Sequence, residues 1–330
     1  MFPDTIPQID CSAIVDDFEN LDVDKLYCVA QEFGTAMTGI GMCHLINHGL
    51  DMKKVERIYS VSTSFFNLPS EIKLKYRKKG SSNHGYSCPG DQSFTEKSLE
   101  LKELWDISGF EAYDNDKLPN AEIPSFQMAF DDIRSDLENI VKVLLRCIEI
   151  YLNLEKDFLI SSHKNLGNRT VLTHTQMRSL YYGAINSNEQ LPTNATRFGE
   201  HKDFGTLTFV IQDQVGGLEV KTSDGKWIQA VPVKNAILVN SGELLEYWTG
   251  GRFHAAPHRV RIDPENNRTN IPRQSFVYFV DPDGDAKIYP ALPVLPQKEN
   301  DLQQYNNKAI VAYVHTQDRI EASTVYSNLD

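Results

Sequence analysis

Apolar residues recur at helical spacing through the first half of the chain. In residues 21–36, Leu21, Leu26, Val29, Ala30 and Phe33 share one face, and Asp22 and Asp24 suit a helix start. A short apolar run at 42–46, closed by the turn residues Asn47-His48-Gly49, predicts a strand. Residues 51–66 predict a second amphipathic helix, with Val55, Ile58, Tyr59, Val61 and the pair Phe65-Phe66 inward. Residues 79–93 are rich in glycine, serine and proline and predict an irregular loop. The longest helical pattern runs from about 124 to 153 and carries Ile133, Leu137, Ile140, Val141, Leu144, Leu145, Ile148 and Tyr151 along one side.

After about residue 170 the period changes to alternation. Thr206–Gln212 alternates threonine or valine with Leu207, Phe209 and Ile211, and further short strands are predicted at 217–221, 226–230, 235–240, 258–262 and 274–280. The turns between them include Val215-Gly216-Gly217, Ser223-Asp224-Gly225 and Asp281-Pro282-Asp283-Gly284. Many short strands with regular turns predict an antiparallel sandwich or barrel. The expected fold class is α+β, with a helical N-terminal layer sharing a core with the sheet region.

Composition narrows the function. The chain has 330 residues, 41% of them apolar, enough for a sizeable core. Its 45 acidic residues against 33 basic ones give a net charge of −12, which argues against nucleic acid or a membrane surface as a partner. No apolar run approaches the length of a membrane span, and Met1-Phe2-Pro3-Asp4 does not resemble a secretory signal. Five cysteines, odd in number and without C-x-x-C, fit no disulfide framework. A cytoplasmic location is the expectation.

Histidine carries the candidate chemistry. His201 has Asp203 two positions on, and in extended backbone both side chains point to one face. By itself the pair fits a solvated loop equally well. His258 begins another predicted strand, and two histidines with one carboxylate leave three positions open on Fe(II), as oxygen chemistry needs. His254 competes, but Pro257 argues against a helical pairing with His258, and His254 reads as a loop histidine. Arg273 and Ser275 would face the same way on a strand and could grip one carboxylate. In isolation, R-x-S fits a surface arginine better.

Taken in order, His201-Lys202-Asp203-Phe204-Gly205-Thr206, Val215-Gly216-Gly217-Leu218-Glu219-Val220, Asn240-Ser241-Gly242-Glu243, His258-Arg259-Val260 and Arg273-Gln274-Ser275 resemble the 2-oxoglutarate- and Fe(II)-dependent dioxygenase superfamily, in its isopenicillin-N-synthase-like branch. In the first half, Ile6-Pro7-Gln8-Ile9-Asp10, Ile46-Asn47-His48-Gly49 and Phe65-Phe66-Asn67-Leu68-Pro69 resemble the same branch. The resemblance implies a double-stranded β-helix, or jelly-roll, core. It divides the chain into an N-terminal region (1–120), a long helical connection (121–170), the core (171–285) and a C-terminal extension (286–330). It implies His201, Asp203 and His258 as iron ligands, with Arg273 and Ser275 on the distal carboxylate of 2-oxoglutarate. Tyr182 stands where the family has a tyrosine contacting the co-substrate, although Gly183 replaces the usual proline. The implied reaction uses O2 to oxidise a small organic molecule, with release of succinate and CO2.

Arg197, Phe198, Leu218 and Tyr86 are the candidate substrate contacts. Tyr86 belongs to the 79–93 loop, which also holds Asn83, His84 and Gln92. Three other readings remain. One is a 2-oxoglutarate-independent oxidase of the isopenicillin N synthase type, against which the ending Tyr326-Ser327-Asn328-Leu329-Asp330 argues because it lacks that enzyme's glutamine. The second is a catalytically silent binding protein. The third, a zinc hydrolase, leaves Arg273 without a role.

Overall fold

Asp22 and Asp51 each set a carboxylate oxygen against backbone N–H groups at a helix start, the first on Asp24 and Lys25 at 3.0 and 3.2 Å, the second on Lys53 at 2.9 Å. In this computed structural model the described residues are 5–15, 18, 21–79, 82–94, 98–108, 118–166, 171–185, 190–262, 267–302 and 308–324. The first half contains β1 (Gln8–Asp10), α1 (Val23–Gly39), β2 (Met42–Ile46), α2 (Met52–Phe66), α3 (Ser70–Lys73), β3 (Gly85–Ser87), β4 (Leu99–Glu100), β5 (Glu103–Ser108) and α4 (Phe126–Tyr151). The second half continues with β6 (Gln176–Tyr182), β7 (Ala195–Thr196), β8 (Phe198–His201), β9 (Leu207–Gln212), β10 (Leu218–Lys221), β11 (Trp227–Gln229) and β12 (Ile237–Ser241). Then come α5 (Glu243–Trp248), β13 (His258–Val260), β14 (Arg273–Val280), β15 (Lys287–Ile288), α6 (Glu299–Leu302), β16 (Ile310–Val311) and α7 (Ala312–Ser323).

Two sheets face each other. The larger has the order β1-β2-β12-β9-β14-β6-β5-β3, and the smaller β11-β10-β13-β8. Only β1 and β2 pair in parallel within the larger sheet; its other pairings are antiparallel. The second half of the chain supplies the central strands and the first half supplies both flanks. This is the jelly-roll core expected of the sequence, in an α+β chain. Helices α1, α2 and α4 cover the outer face of the larger sheet, with Phe33, Phe65, Phe126 and Phe130 fully buried among them. Each such ring contributes roughly 1.5–3 kcal/mol by leaving water.

Strand parity then decides what faces the space between the sheets. On β14, Phe276 and Tyr278 join the helix-side core, while Arg273, Ser275 and Val277 turn to the interior. On β6, Tyr182 and Leu180 turn inward in the same way.

Differences from the sequence reading are local. The 79–93 stretch includes a strand, β3, because Gly85–Ser87 pairs with Leu104–Asp106 of β5. Strands β5 and β8 and helix α5 carry no clean period, being short or interrupted by glycine, and the pattern did not predict them. No helix among the described residues is long and apolar enough to cross a membrane.

Candidate metal and co-substrate site

His201 ends β8 and His258 begins β13, and the antiparallel pairing of these strands sets the two residues opposite each other. Asp203 follows in the loop to β9. The first N–H groups of α5 hold that loop, Glu243 donating to Asp203 O at 2.8 Å and Leu244 to Phe204 O at 3.0 Å. Gly205 lets the loop close against β14: a Cβ there would meet Asp281 Oδ1 at 2.1 Å and Val280 O at 2.5 Å. Ligand-capable atoms of His201, Asp203 and His258 all lie within 4.8 Å of one another.

The hydrogen bonds fix how these groups face. His201 Nδ1 lies 2.9 Å from Gly199 O and His258 Nδ1 lies 3.1 Å from Ala256 O, so each Nδ1 carries the proton and donates it. Each Nε2 is left facing the same oxygen, Asp203 Oδ1, at 3.7 Å. Burial first, and the neighbouring His258 ring second, push the His201 pKa well below its ordinary value. Burial opposes ionisation of Asp203, but the two imidazoles and hydrogen bonds from Asn240 and Thr208 outweigh it and hold the carboxyl below the usual range. Asn240 Nδ2 donates to Asp203 Oδ2 at 2.7 Å, leaving Oδ1 for the histidines. Two imidazole nitrogens and a carboxylate oxygen converge, a donor set that suits a divalent cation.

Arg273 lies deeper, 1% exposed. Its guanidinium donates to Ser275 Oγ at 3.4 Å and Gln212 Oε1 at 3.1 Å, and packs 5.0 Å from the centre of the Tyr182 ring. Nε has no partner, and no carboxylate among the described residues pairs with this cation. Burying a guanidinium without an anion costs several kcal/mol. A cavity with about 460 Å³ of empty space, partly open to solvent, has the histidines and Asp203 in its lining together with Arg273, Ser275 and Tyr182. It can hold a small dianion between a metal and a guanidinium.

The substrate candidates separate. Phe198 lines this cavity and stacks on His201 with ring centres 4.2 Å apart. Leu218 lines it too, from within the apolar cluster between the sheets. Arg197 does not line it. It precedes β8, its guanidinium lies 6.0 Å from the centre of the Tyr182 ring, and it donates to the carbonyls of Thr269, Gly183 and Ile271 at 3.1, 3.4 and 3.4 Å. Tyr86 lies outside this lining: its hydroxyl donates to Glu103, and its ring packs edge-on against Phe65 in the helix-side core. Asn83 and Gln92, from the same stretch, line a second cavity, partly open to solvent, with about 510 Å³ of space counting the open part; it shares Phe198, His201, Asp203 and Phe279 with the first. His254 contacts Glu246 and Lys298 rather than the triad. Sequence reasoning assigned no role to Asn240 or Gln212, since each acts through a partner reached only across strands.

Known proteins resemble the chain throughout. Residues 173–282 match the family model of the 2OG-Fe(II) oxygenase superfamily, and residues 6–125 match that of the non-haem dioxygenase in morphine synthesis N-terminal region. A 2-oxoglutarate-dependent dioxygenase, frbA, of Dothideomycetidae sp. (strain 11243) is 30% identical over 281 residues, covering 78% of this chain and 80% of that protein. Scopoletin 8-hydroxylase of Arabidopsis thaliana is 28% identical over 290 residues, covering 86% and 74%. Among solved structures, a full-length Neurospora crassa protein in complex with alpha-KG superposes with a TM-score of 0.78 at 25% identity, covering 96% of this chain and 95% of that one. The chain belongs to the 2OG-Fe(II) oxygenase superfamily. It is an oxidoreductase that uses Fe(II), 2-oxoglutarate and O2 to oxidise a small organic substrate.

Proposed function

We propose that His201, Asp203 and His258 hold the iron, and that Arg273, with Ser275 and Tyr182, receives the distal carboxylate of 2-oxoglutarate. One observation carries the assignment: a fully buried, carboxylate-free guanidinium lies in the same cavity as three converging metal-type donors. When bound, iron and 2-oxoglutarate supply the oxidising power, and succinate and CO2 are the co-products.

The chain's own groups orient and shield. Arg273 fixes how deep the co-substrate sits through charge-assisted, two-point bonding that an ammonium could not reproduce. Gln212 aims the guanidinium, because its own Nε2 is held by Ala230 O at 3.1 Å and its Oε1 is thereby turned to Arg273. Asn240 keeps Asp203 Oδ1 directed at the histidines. Phe198 and Phe94, 4.2 and 4.7 Å from the His201 ring, keep water from that side. Phe198 and Leu218 are proposed as apolar contacts near the reacting centre. The net charge of −12 supports a small-molecule substrate over nucleic acid or a membrane surface, and five unpaired cysteines support a cytoplasmic location. Residues 326–330, which bear on the oxidase alternative, lie outside the described residues.

The test is an anaerobic titration of 2-oxoglutarate into Fe(II)-loaded protein, read by the visible charge-transfer band of the chelate. The band is expected in the native protein and absent in His201→Ala. Intact, iron-loaded protein that never shows it would reject the assignment.

A further inference from the structure

The second cavity is built for hydrogen bonding but not for charge. Four of its lining side chains, each more than nine-tenths buried, end in an atom with no hydrogen-bond partner among the described residues: Asn83 Nδ2, Gln92 Oε1, His174 Nε2 and Gln176 Oε1. Buried polar atoms are rarely left unmatched, because stranding one costs about 1–3 kcal/mol. Here the side chains that carry four such atoms line one space beside the triad. They include a donor and at least two acceptors.

The charged groups of the lining are already matched or are negative. Arg178 is the only lysine or arginine among its described lining residues, and it makes two parallel bonds to Asp106, Nε to Oδ1 at 2.6 Å and Nη2 to Oδ2 at 2.8 Å. Lys78 also donates to Asp106. Burial holds the His174 ring pKa down to about 4, so it is uncharged near neutrality; the ring stacks on Tyr313 with centres 4.3 Å apart. Asp281, also in the lining, would repel an anion. Phe94, Phe198, Phe204 and Phe279 contribute aromatic rings. Neutral amide ends between flat apolar walls match a flat ligand that offers both N–H and C=O.

We infer that this cavity takes a neutral, planar ring bearing an amide, lactam or imide, recognised by Asn83, Gln92, His174 and Gln176 rather than by an ion pair. That this molecule is the one oxidised rests on the oxygenase assignment above; the recognition itself does not.

Calorimetry with nicotinamide and nicotinate, two rings that differ only in amide against carboxylate, separates the two ideas. It is run on protein holding Fe(II) and 2-oxoglutarate without oxygen, and again on metal-free protein. Nicotinamide is expected to bind at least tenfold more tightly than nicotinate in both. Gln92→Leu and Asn83→Leu, both outside the central strands, should each weaken nicotinamide about tenfold, with the 2-oxoglutarate band unchanged. Equal or tighter binding of nicotinate, no binding of nicotinamide, or variants without effect would overturn the inference. Discrimination retained while the band never forms would uphold it and bring down the iron and co-substrate assignment alone.

Discussion

Replacing Arg273 with methionine separates binding from folding. The guanidinium is 1% exposed, and its protein partners are two neutral oxygens, Ser275 Oγ and Gln212 Oε1. A carboxylate received there forms two charge-assisted bonds, each worth about 1.5–3 kcal/mol in mutational series. Taking about 3 kcal/mol as the net loss for the pair, the 2-oxoglutarate dissociation constant should rise somewhat more than a hundredfold. Iron affinity should stay within a few-fold, because the ligand set is untouched. Stability without 2-oxoglutarate should hold or rise. The variant removes a buried cation whose desolvation costs several kcal/mol, which offsets the roughly 1–3 kcal/mol of leaving Gln212 Oε1 unmatched. Methionine fills the space with a flexible apolar chain. The assays are anaerobic calorimetry of 2-oxoglutarate on Fe(II)-loaded protein and urea unfolding of the unliganded protein. Parallel losses of iron and 2-oxoglutarate affinity, or a stability drop of several kcal/mol, would show Arg273 to be a structural residue and refute the reasoning.

Asn240→Leu removes the donor on Asp203 Oδ2 and frees the carboxylate to rotate; iron affinity should fall about 10- to 100-fold with the fold retained, and a competition titration against a metal chelator that finds no change would remove this role. Stability should fall on acidification between about pH 6.5 and 4. His44, His163 and His174 are each held down to about 4, chiefly by burial. In that window the unfolded chain binds more protons than the folded one, so their contribution is complete above the ordinary histidine pKa and is lost as pH falls through the folded value. Each histidine adds a slope of up to about 1.4 kcal/mol per pH unit. His163→Gln should reduce the slope by one histidine's share, measured as urea midpoints at pH 7, 6 and 5; an unchanged slope would mean that His163 does not titrate on unfolding.

Local pattern carried much of the fold. The strand at 42–46, the helices near 51–66 and 124–153, and the strands from 207 to 280 rest on periodicities that a few neighbouring residues impose, and they stand within a few residues of expectation. The ordered motifs around His201, Asp203, His258 and Arg273 also carried the chemistry, because residue type and order survive in one dimension. What pairs with what did not. Flanking the larger sheet with β1, β2, β3 and β5 depends on pairing β5 with β6 and β2 with β12, strands far apart in sequence. The facing of Phe198 into the cavity turns on the parity of a four-residue strand that its partner, β13, fixes. The matching of Asn240 to Asp203, and of Gln212 to Arg273, arises from central strands brought side by side. Residue type and spacing brought out the candidate donors. The crossing of strands distant in sequence decided which atoms are left bare, and therefore what the cavities can hold.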